Sequence, residues 1–77
     1  MVYTDGFHIA ADTFAELFAY ADKYRIRYKY FLGTKIKNFV CPPEHKDRLK
    51  LNIRVGQVAK LQDSEMYEQV LKMNNRL

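Results

Sequence analysis

The apolar residues of this chain change their spacing close to Lys23, and this change restricts the possible folds more than any other feature. Up to that point, steps of three and four residues place five side chains on one helix face: Phe14, Leu17, Phe18, Ala21 and Tyr24. Beyond it, charged and apolar residues alternate, which is typical of a strand with one side in the core. Both periods occur within 77 residues, a length that supports one domain. The sequence therefore predicts a single α+β domain over residues 1–77.

The start of this helix carries its own signal. Thr13 and Glu16 fit a capping box, in which the threonine hydroxyl accepts from the N–H of Glu16 and the Glu16 carboxylate accepts from the N–H of Thr13. We expect a short strand at residues 7–11, before the helix, and a second one at residues 2–4. Asp5-Gly6 is a turn signal between them.

The segment after Lys23 predicts a hairpin with one basic face. In an ideal strand, three cations point to one side and three apolar or aromatic side chains to the other: Arg25, Arg27 and Lys29 against Ile26, Tyr28 and Tyr30. A turn at residues 32–35 would return the chain through a second strand, in which Lys35 and Lys37 again alternate with apolar residues. Pro42 ends that strand, because proline cannot donate to a ladder. We expect the cations on the solvent face and the tyrosines in the core.

Two helices are expected to complete the domain. The first is predicted over residues 47–61, although residues 49–55 also alternate as in a strand, and both alternatives stay open. Asp63-Ser64 is expected to cap the second helix. Its core stripe has three members, with Tyr67 and Leu71 at its sides: Met66, Val70 and Met73. The predicted order is one or two short N-terminal strands, a capped helix, a basic β-hairpin and two C-terminal helices, with helices on one face of the sheet.

Positive charge is concentrated in the middle of the chain. Residues 23–60 carry eleven Lys or Arg against two acidic residues, a net +9, whereas residues 1–22 carry −4 and residues 61–77 carry −1. A segment this basic favours the phosphates of nucleic acid or an acidic protein surface. The candidate binding residues are the cations of the predicted hairpin: Arg25, Arg27, Lys29, Lys35 and Lys37. The alternative is that the charges are only solvated, or that the acidic flanks cancel them.

The sequence lacks the features of several protein classes. No apolar run is long enough to span a bilayer, so we expect no membrane partner. The first residues have no basic region followed by the apolar core of a signal peptide. Cys41 is the only cysteine, which excludes an internal disulfide and a cysteine-based zinc site. A cytoplasmic location is therefore expected.

Residues 2–24 carry motifs of a known family. Val2-Tyr3-Thr4-Asp5 matches V-Y-V-D with one substitution, and His8 to Ala21 match H-x-x-A-D-[ST]-x-x-E-L-x-x-x-A after a spacer shorter than the family's. His45-Lys46-Asp47 matches a further H-Y-D-L motif, with Lys for Tyr and Arg48 for Leu. In these motifs the chain resembles a small uncharacterised family of bacteria and phages, the domain of unknown function four thousand and thirty-one. The resemblance implies a small α+β domain and no established activity.

The resemblance also marks four polar residues that could carry chemistry: His8, Asp12, His45 and Asp47. Imidazole and carboxylate groups could act as general acid and base on a phosphodiester. His8, His45 and Asp47 could also hold a divalent metal. The alternative is structural: Asp12 and Thr13 cap the helix, and the two histidines tie a loop to the first strand. Each of these hypotheses requires His8 and His45 to approach each other.

Three functional hypotheses follow. The main one is a small non-enzymatic binding protein, a phage or bacterial accessory or host-modulating protein without a cofactor, whose basic sheet face engages nucleic acid or an acidic protein surface. The alternative is a small metal-dependent or acid–base phosphodiester hydrolase that uses the four polar residues above. The third is a homodimer formed through the hairpin edge or the methionine-containing last helix. Cys41 is expected to be a buried or edge thiol in all three, because no nucleophile motif surrounds it.

Overall fold

Residues 1–76, the part of the chain that this computed structural model describes, form five strands and three helices. The strands are β1 (Val2–Thr4), β2 (His8–Ala11), β3 (Phe31–Leu32), β4 (Asn38–Val40) and β5 (Val58–Lys60). The helices are α1 (Phe14–Lys23), α2 (Lys46–Arg54) and α3 (Asp63–Asn74). Short 3-10 turns at Tyr28–Tyr30 and Pro43–His45 precede β3 and α2. The predicted α+β class is confirmed.

The strands form one mixed sheet in the order β3-β4-β2-β1-β5. β1 and β2 make an antiparallel hairpin in which Tyr3 lies opposite Ala10. β2 is also antiparallel to β4, whereas β1 is parallel to β5, with Tyr3 opposite Ala59. β4 and β5 therefore run in the same direction, and α2 connects them by a crossover past the N-terminal hairpin.

The sheet is covered on both faces, whereas the sequence predicts helices on one face only. On one face, the Phe39 ring of β4 packs against the Phe18 ring of α1 with centroids 5.9 Å apart. On the other face, His8 of β2 and Asn38 of β4 line a cavity with side chains of α3. Neighbouring strand residues point to opposite faces, so α1 and α3 lie on opposite sides. The apolar run at residues 9–11, each 0% exposed, is the signal of a strand buried on both faces.

The first helix begins where the sequence predicts. Thr13 is the N-cap, and its Oγ1 accepts a hydrogen bond from the N–H of Glu16 at 3.2 Å. The Glu16 carboxylate pairs with the amino group of Met1 rather than with the N–H of Thr13, so only half of the capping box is formed. Leu17 and Ala21 of the predicted stripe are buried in the core.

The prediction of a strand directly after α1 is wrong. Arg25 adopts a φ of 55°, and the N–H of Ile26 donates to the carbonyl of Ala21 at 2.8 Å, which closes a Schellman motif at the helix end. The chain then turns again, because the N–H of Tyr30 donates to the carbonyl of Arg27 at 3.0 Å. Side chains alternate only on an extended backbone, so the predicted separation of cations from tyrosines does not apply to this turn.

A short hairpin does follow, and it is smaller than predicted. β3 and β4 pair with Phe31 opposite Phe39. Tyr28, expected in the core, is 70% exposed, whereas Tyr30 is partly buried against the core. The hairpin prediction is confirmed for β4 and corrected for the segment before Phe31.

The helix predicted over residues 47–61 ends earlier and is followed by a strand. Gly56 has a φ of 82°, and the N–H of Gln57 donates to the carbonyl of Asn52 at 2.9 Å, again as a Schellman motif. Residues beyond this glycine form β5, which pairs with β1. The helical alternative for residues 49–55 is thus correct for residues 49–54, and the extension beyond Gly56 is wrong.

The last helix has the predicted core stripe. Met66, Val70 and Met73 are buried, and Tyr67 is 58% exposed. The helix is capped one residue earlier than predicted, since the Glu65 carboxylate accepts from the N–H of Gln62 at 3.0 Å. Among the helices of residues 1–76, none combines the length and apolar character needed to cross a bilayer.

Candidate functional site

The five cations predicted to lie on one face of the hairpin are outside the strands: Arg25, Arg27, Lys29, Lys35 and Lys37. The first three belong to the turns after α1, and the last two to the connection between β3 and β4. The backbone N–H of Lys37 donates to the side chain of Asn74 on α3 at 2.8 Å. The cations therefore form two groups, one in the turns after α1 and one in the connection between β3 and β4.

The turn Arg27-Tyr28-Lys29, called the basic turn below, presents an aromatic ring between two exposed cations. The Tyr28 ring stacks on the Phe18 ring of α1, with centroids 6.1 Å apart and an angle of 7° between the ring planes. Its exposure of 70% leaves the outer ring face open to solvent. The basic turn can therefore offer cations and a flat aromatic surface to the same ligand.

The positive charges are not neutralised by contact ion pairs. Within residues 1–76, no Lys or Arg side chain lies within 4.0 Å of a carboxylate. The three pairs present in that range involve the Met1 amino group or His8. The charge excess of residues 23–60 is thus available to an external anion.

A second group of cations, absent from the sequence-based candidates, surrounds a groove beside α2. Lys46 and Lys50 of α2 and Lys60 of β5 line this lysine groove, which has a volume of about 290 Å³ and also contacts Leu49. Lys46 and Lys50 are one helical turn apart, and that spacing is the signal that could have identified them. The lysine groove is a second cationic area, separate in sequence from the basic turn.

The imidazole of His8 is held by Asp5, its neighbour in sequence. Nδ1 of His8 lies 3.1 Å from Oδ2 of Asp5, and Oδ1 accepts from the N–H groups of Phe7 and His8 at 2.8 and 2.7 Å. Burial alone would raise the pKa of Asp5, but the hydrogen bonds from His8 and Phe7 outweigh it and lower the pKa below 3.8. Asp5 is therefore ionised at neutral pH and orients the ring through Nδ1.

His45 belongs to a different cluster, between α2 and α1. Its Nε2 lies 2.8 Å from the Tyr20 hydroxyl, which accepts from Nδ2 of Asn52 at 2.9 Å. The hydroxyl proton can then be donated to His45 in the imidazole tautomer that carries its proton on Nδ1. Burial lowers the pKa of His45, with a further contribution from Arg48, and burial raises the pKa of Tyr20 to about 12. The cluster is a satisfied hydrogen-bond network between two helices.

The residues predicted for acid–base or metal chemistry do not come together. His8 lines a cavity on the α3 side of the sheet, whereas His45 contacts Tyr20 on the α1 side. Asp12 accepts from the Tyr3 hydroxyl at 3.0 Å, and Asp47 is exposed on α2. The described range 1–76 contains no group of three His, Cys, Asp or Glu residues arranged to hold a metal ion. The prediction that His8 and His45 approach each other is wrong. The hydrolase hypothesis requires that approach, so this structure does not support it.

Cys41 and the methionines of α3 are core residues. Cys41 is 5% exposed, so the buried thiol expected from the sequence is confirmed, and this burial raises the pKa of its thiol group. Met66 and Met73 are 2% and 0% exposed, so neither is free to form a homodimer contact. Pairing through the exposed edge of β3 stays a prediction.

A further cavity lies between the sheet and α3. It has a volume of about 480 Å³ and is called the α3 cavity below. Its lining includes the oriented His8, together with Asn38 of β4 and Met66 of α3. No local pattern indicates this cavity, because its walls come from segments more than twenty residues apart.

Comparisons with known proteins identify no relative of this chain. No protein-family model matches the chain, and neither the curated proteins nor the solved structures contain a match. The similarity to the domain of unknown function four thousand and thirty-one stays a prediction. Function must therefore be inferred from the geometry of the basic turn, the lysine groove and the α3 cavity.

Proposed function

We propose that this protein is a small non-enzymatic nucleic-acid-binding protein that holds single-stranded segments on its basic turn. Such a protein would act in the cytoplasm of a bacterium or phage-infected cell, as an accessory or host-modulating protein. The observation that carries the proposal is the exposed Tyr28 ring between Arg27 and Lys29. Proteins that bind single strands combine cations along the backbone with aromatic rings on which bases stack.

The ring is supported in the orientation that stacking requires. Phe18 lies parallel to Tyr28 at 6.1 Å on the protein side, so a base on the outer face would extend an existing stack. The Tyr28 ring is 70% exposed, so a ligand could contact it without a rearrangement of the core. Duplex nucleic acid does not offer free base faces, so the proposal favours unpaired segments.

The charge distribution supports a polyanionic partner. The cations of residues 23–60 make no contact ion pair within the described range, and Lys46, Lys50 and Lys60 add a groove that a phosphate backbone could follow. An acidic protein surface would use the same charges without needing the tyrosine ring. Binding to such a surface is therefore the competing outcome of the test below.

The test is the salt dependence of binding to a fluorescently labelled single-stranded oligonucleotide, measured by anisotropy. Removal of one cation that neutralises a phosphate should reduce the slope of log affinity against log salt by about 0.7. The variant Arg27→Gln/Lys29→Gln should therefore bind more weakly at low salt, with a slope smaller by about 1.4. Its melting temperature should barely change, because exposed charges stabilise weakly.

The matched control removes the same charge elsewhere. Lys72 and Arg76 are exposed and lie on or after α3, on the other side of the sheet from the basic turn. Lys72→Gln/Arg76→Gln should leave the slope close to that of the wild type. Equal decreases in affinity for both variants, or no retention of DNA or RNA by the wild type at low salt, would contradict the proposal.

A further inference from the structure

We propose that the α3 cavity binds a small protonated amine that carries an apolar or aromatic group. The site lies on the opposite side of the sheet from the basic turn and does not depend on nucleic-acid binding. The proposal rests on the shape of the cavity, on the chemistry of its lining and on the sign of its charges.

The α3 cavity has the size and apolar walls of a small-molecule site. Its volume of about 480 Å³ falls in the range of ligand pockets. Ile36, Met66 and Val70 supply its aliphatic lining. Phe7 and Tyr67 also line it while remaining 65% and 58% exposed, so two aromatic rings lie at its opening. An apolar ligand body would cover surface that the fold leaves in water.

The lining includes hydrogen-bond acceptors. Oδ1 of Asn38 is buried and has no partner within the described residues. The His8 ring is held by Asp5 through Nδ1 at 3.1 Å, and its other nitrogen is Nε2. Asp63, exposed in the first turn of α3, adds a carboxylate. A ligand that donates a charge-assisted hydrogen bond to the exposed Asp63 carboxylate would therefore gain affinity here.

The lining also selects the sign of the ligand charge. Two carboxylates, Asp5 and Asp63, line the α3 cavity, and its described lining includes no Lys or Arg. The amino end of α3 adds a positive partial charge of about half a unit, which is smaller than the two carboxylates together. Phe7 and Tyr67 can further stabilise a cation through their ring faces. The combination favours a cationic donor, and it disfavours an anion.

The test is an NMR titration of the full chain with 2-phenylethylamine, followed through backbone amide shifts. We expect saturable shifts at His8, Ile36 and Val70. 2-Phenylethanol, the neutral analogue, should bind about tenfold more weakly, because a charge-assisted hydrogen bond is stronger than a neutral one. 3-Phenylpropionate, the anionic analogue, should bind more weakly still.

Two variants that each remove one negative charge from α3 test whether the Asp63 carboxylate contributes to amine binding. Asp63→Asn removes a lining carboxylate and should reduce the preference for the amine over the alcohol by about threefold or more. Glu68→Gln removes an exposed carboxylate of α3 that does not line the cavity, and it should leave the preference unchanged. Equal affinity for amine and alcohol, tighter binding of the carboxylate, or shifts away from the cavity would overturn the proposal. None of these results depends on whether the protein binds nucleic acid.

Discussion

His45 shows how a single residue can look functional in a sequence and act structurally in the fold. Its Nε2 is hydrogen-bonded to the Tyr20 hydroxyl, which accepts from Asn52, so the ring lies in a hydrogen-bond network between two helices. His8, by contrast, is held by Asp5 through Nδ1 beside a cavity. The same resemblance marks both histidines, and only burial and partners separate them.

The buried His45 predicts a pH dependence of stability. Its folded pKa is lowered from 6.5, so the unfolded chain binds this proton more tightly. Stability is then full above pH 6.5 and falls as the pH drops towards the folded pKa, with a slope of at most about 1.4 kcal/mol per pH unit. Protonation would also turn Nε2 into a donor facing the Tyr20 hydroxyl, which already accepts from Asn52.

The measurement is urea unfolding of wild type and His45→Gln between about pH 8 and about pH 5. The wild type should lose stability through this range, and the variant should have a flatter profile. Asp5 and Asp12, whose pKa values are lowered from 3.8, lose their contributions only in more acidic solution. Parallel profiles for the two proteins would show that His45 does not carry the effect.

The two Schellman motifs determine where α1 and α2 end, and therefore which elements can follow them. Both end a helix with a residue in the left-handed conformation, Arg25 with φ 55° and Gly56 with φ 82°. Glycine adopts this conformation freely, whereas for a residue with a Cβ it costs about 1 kcal/mol. The apolar periods continue across both positions, so periodicity predicts a strand across the first and a helix across the second.

These motifs predict opposite effects for a matched pair of substitutions. Arg25→Gly should raise the free energy of unfolding by about 1 kcal/mol, because it relieves the left-handed conformation. Gly56→Ala should lower it by a similar amount, since a Cβ at Gly56 would meet no atom within 4 Å and only the backbone cost remains. Urea unfolding measures both. A stabilising Gly56→Ala or a strongly destabilising Arg25→Gly would contradict this description of the helix ends.

Local signals predict the elements that depend on neighbouring residues. Thr13 caps α1, and Met66, Val70 and Met73 bury one side of α3, because capping and helical spacing are short-range properties. The parallel pairing of β5 with β1 joins Val58 to Val2, and no local pattern encodes that register.

At the scale of the whole molecule, the charge pattern is predictable from the sequence and the site geometry is not. The basic middle segment is read directly from the sequence, yet its cations lie in turns and on α2 rather than along a strand. The α3 cavity and the lysine groove each combine distant segments, so neither can be derived before the fold is known. The basic turn packs on α1 and the α3 cavity lies on the other face of the sheet, whereas Phe7 lines both that cavity and the lysine groove.

The decisive comparison is the affinity of Tyr28→Leu for a single-stranded oligonucleotide against those of the wild type and Tyr67→Leu. Tyr67 is also exposed, but it lies on α3, so it is a matched control for removal of a surface ring. Melting temperatures of all three proteins establish that the substitutions leave the fold intact. We predict that Tyr28→Leu weakens single-strand binding by about tenfold or more, with an unchanged salt slope, and that Tyr67→Leu binds like the wild type. Equal affinities for Tyr28→Leu and the wild type would contradict the proposed stacking, because the basic turn would then act through charge alone.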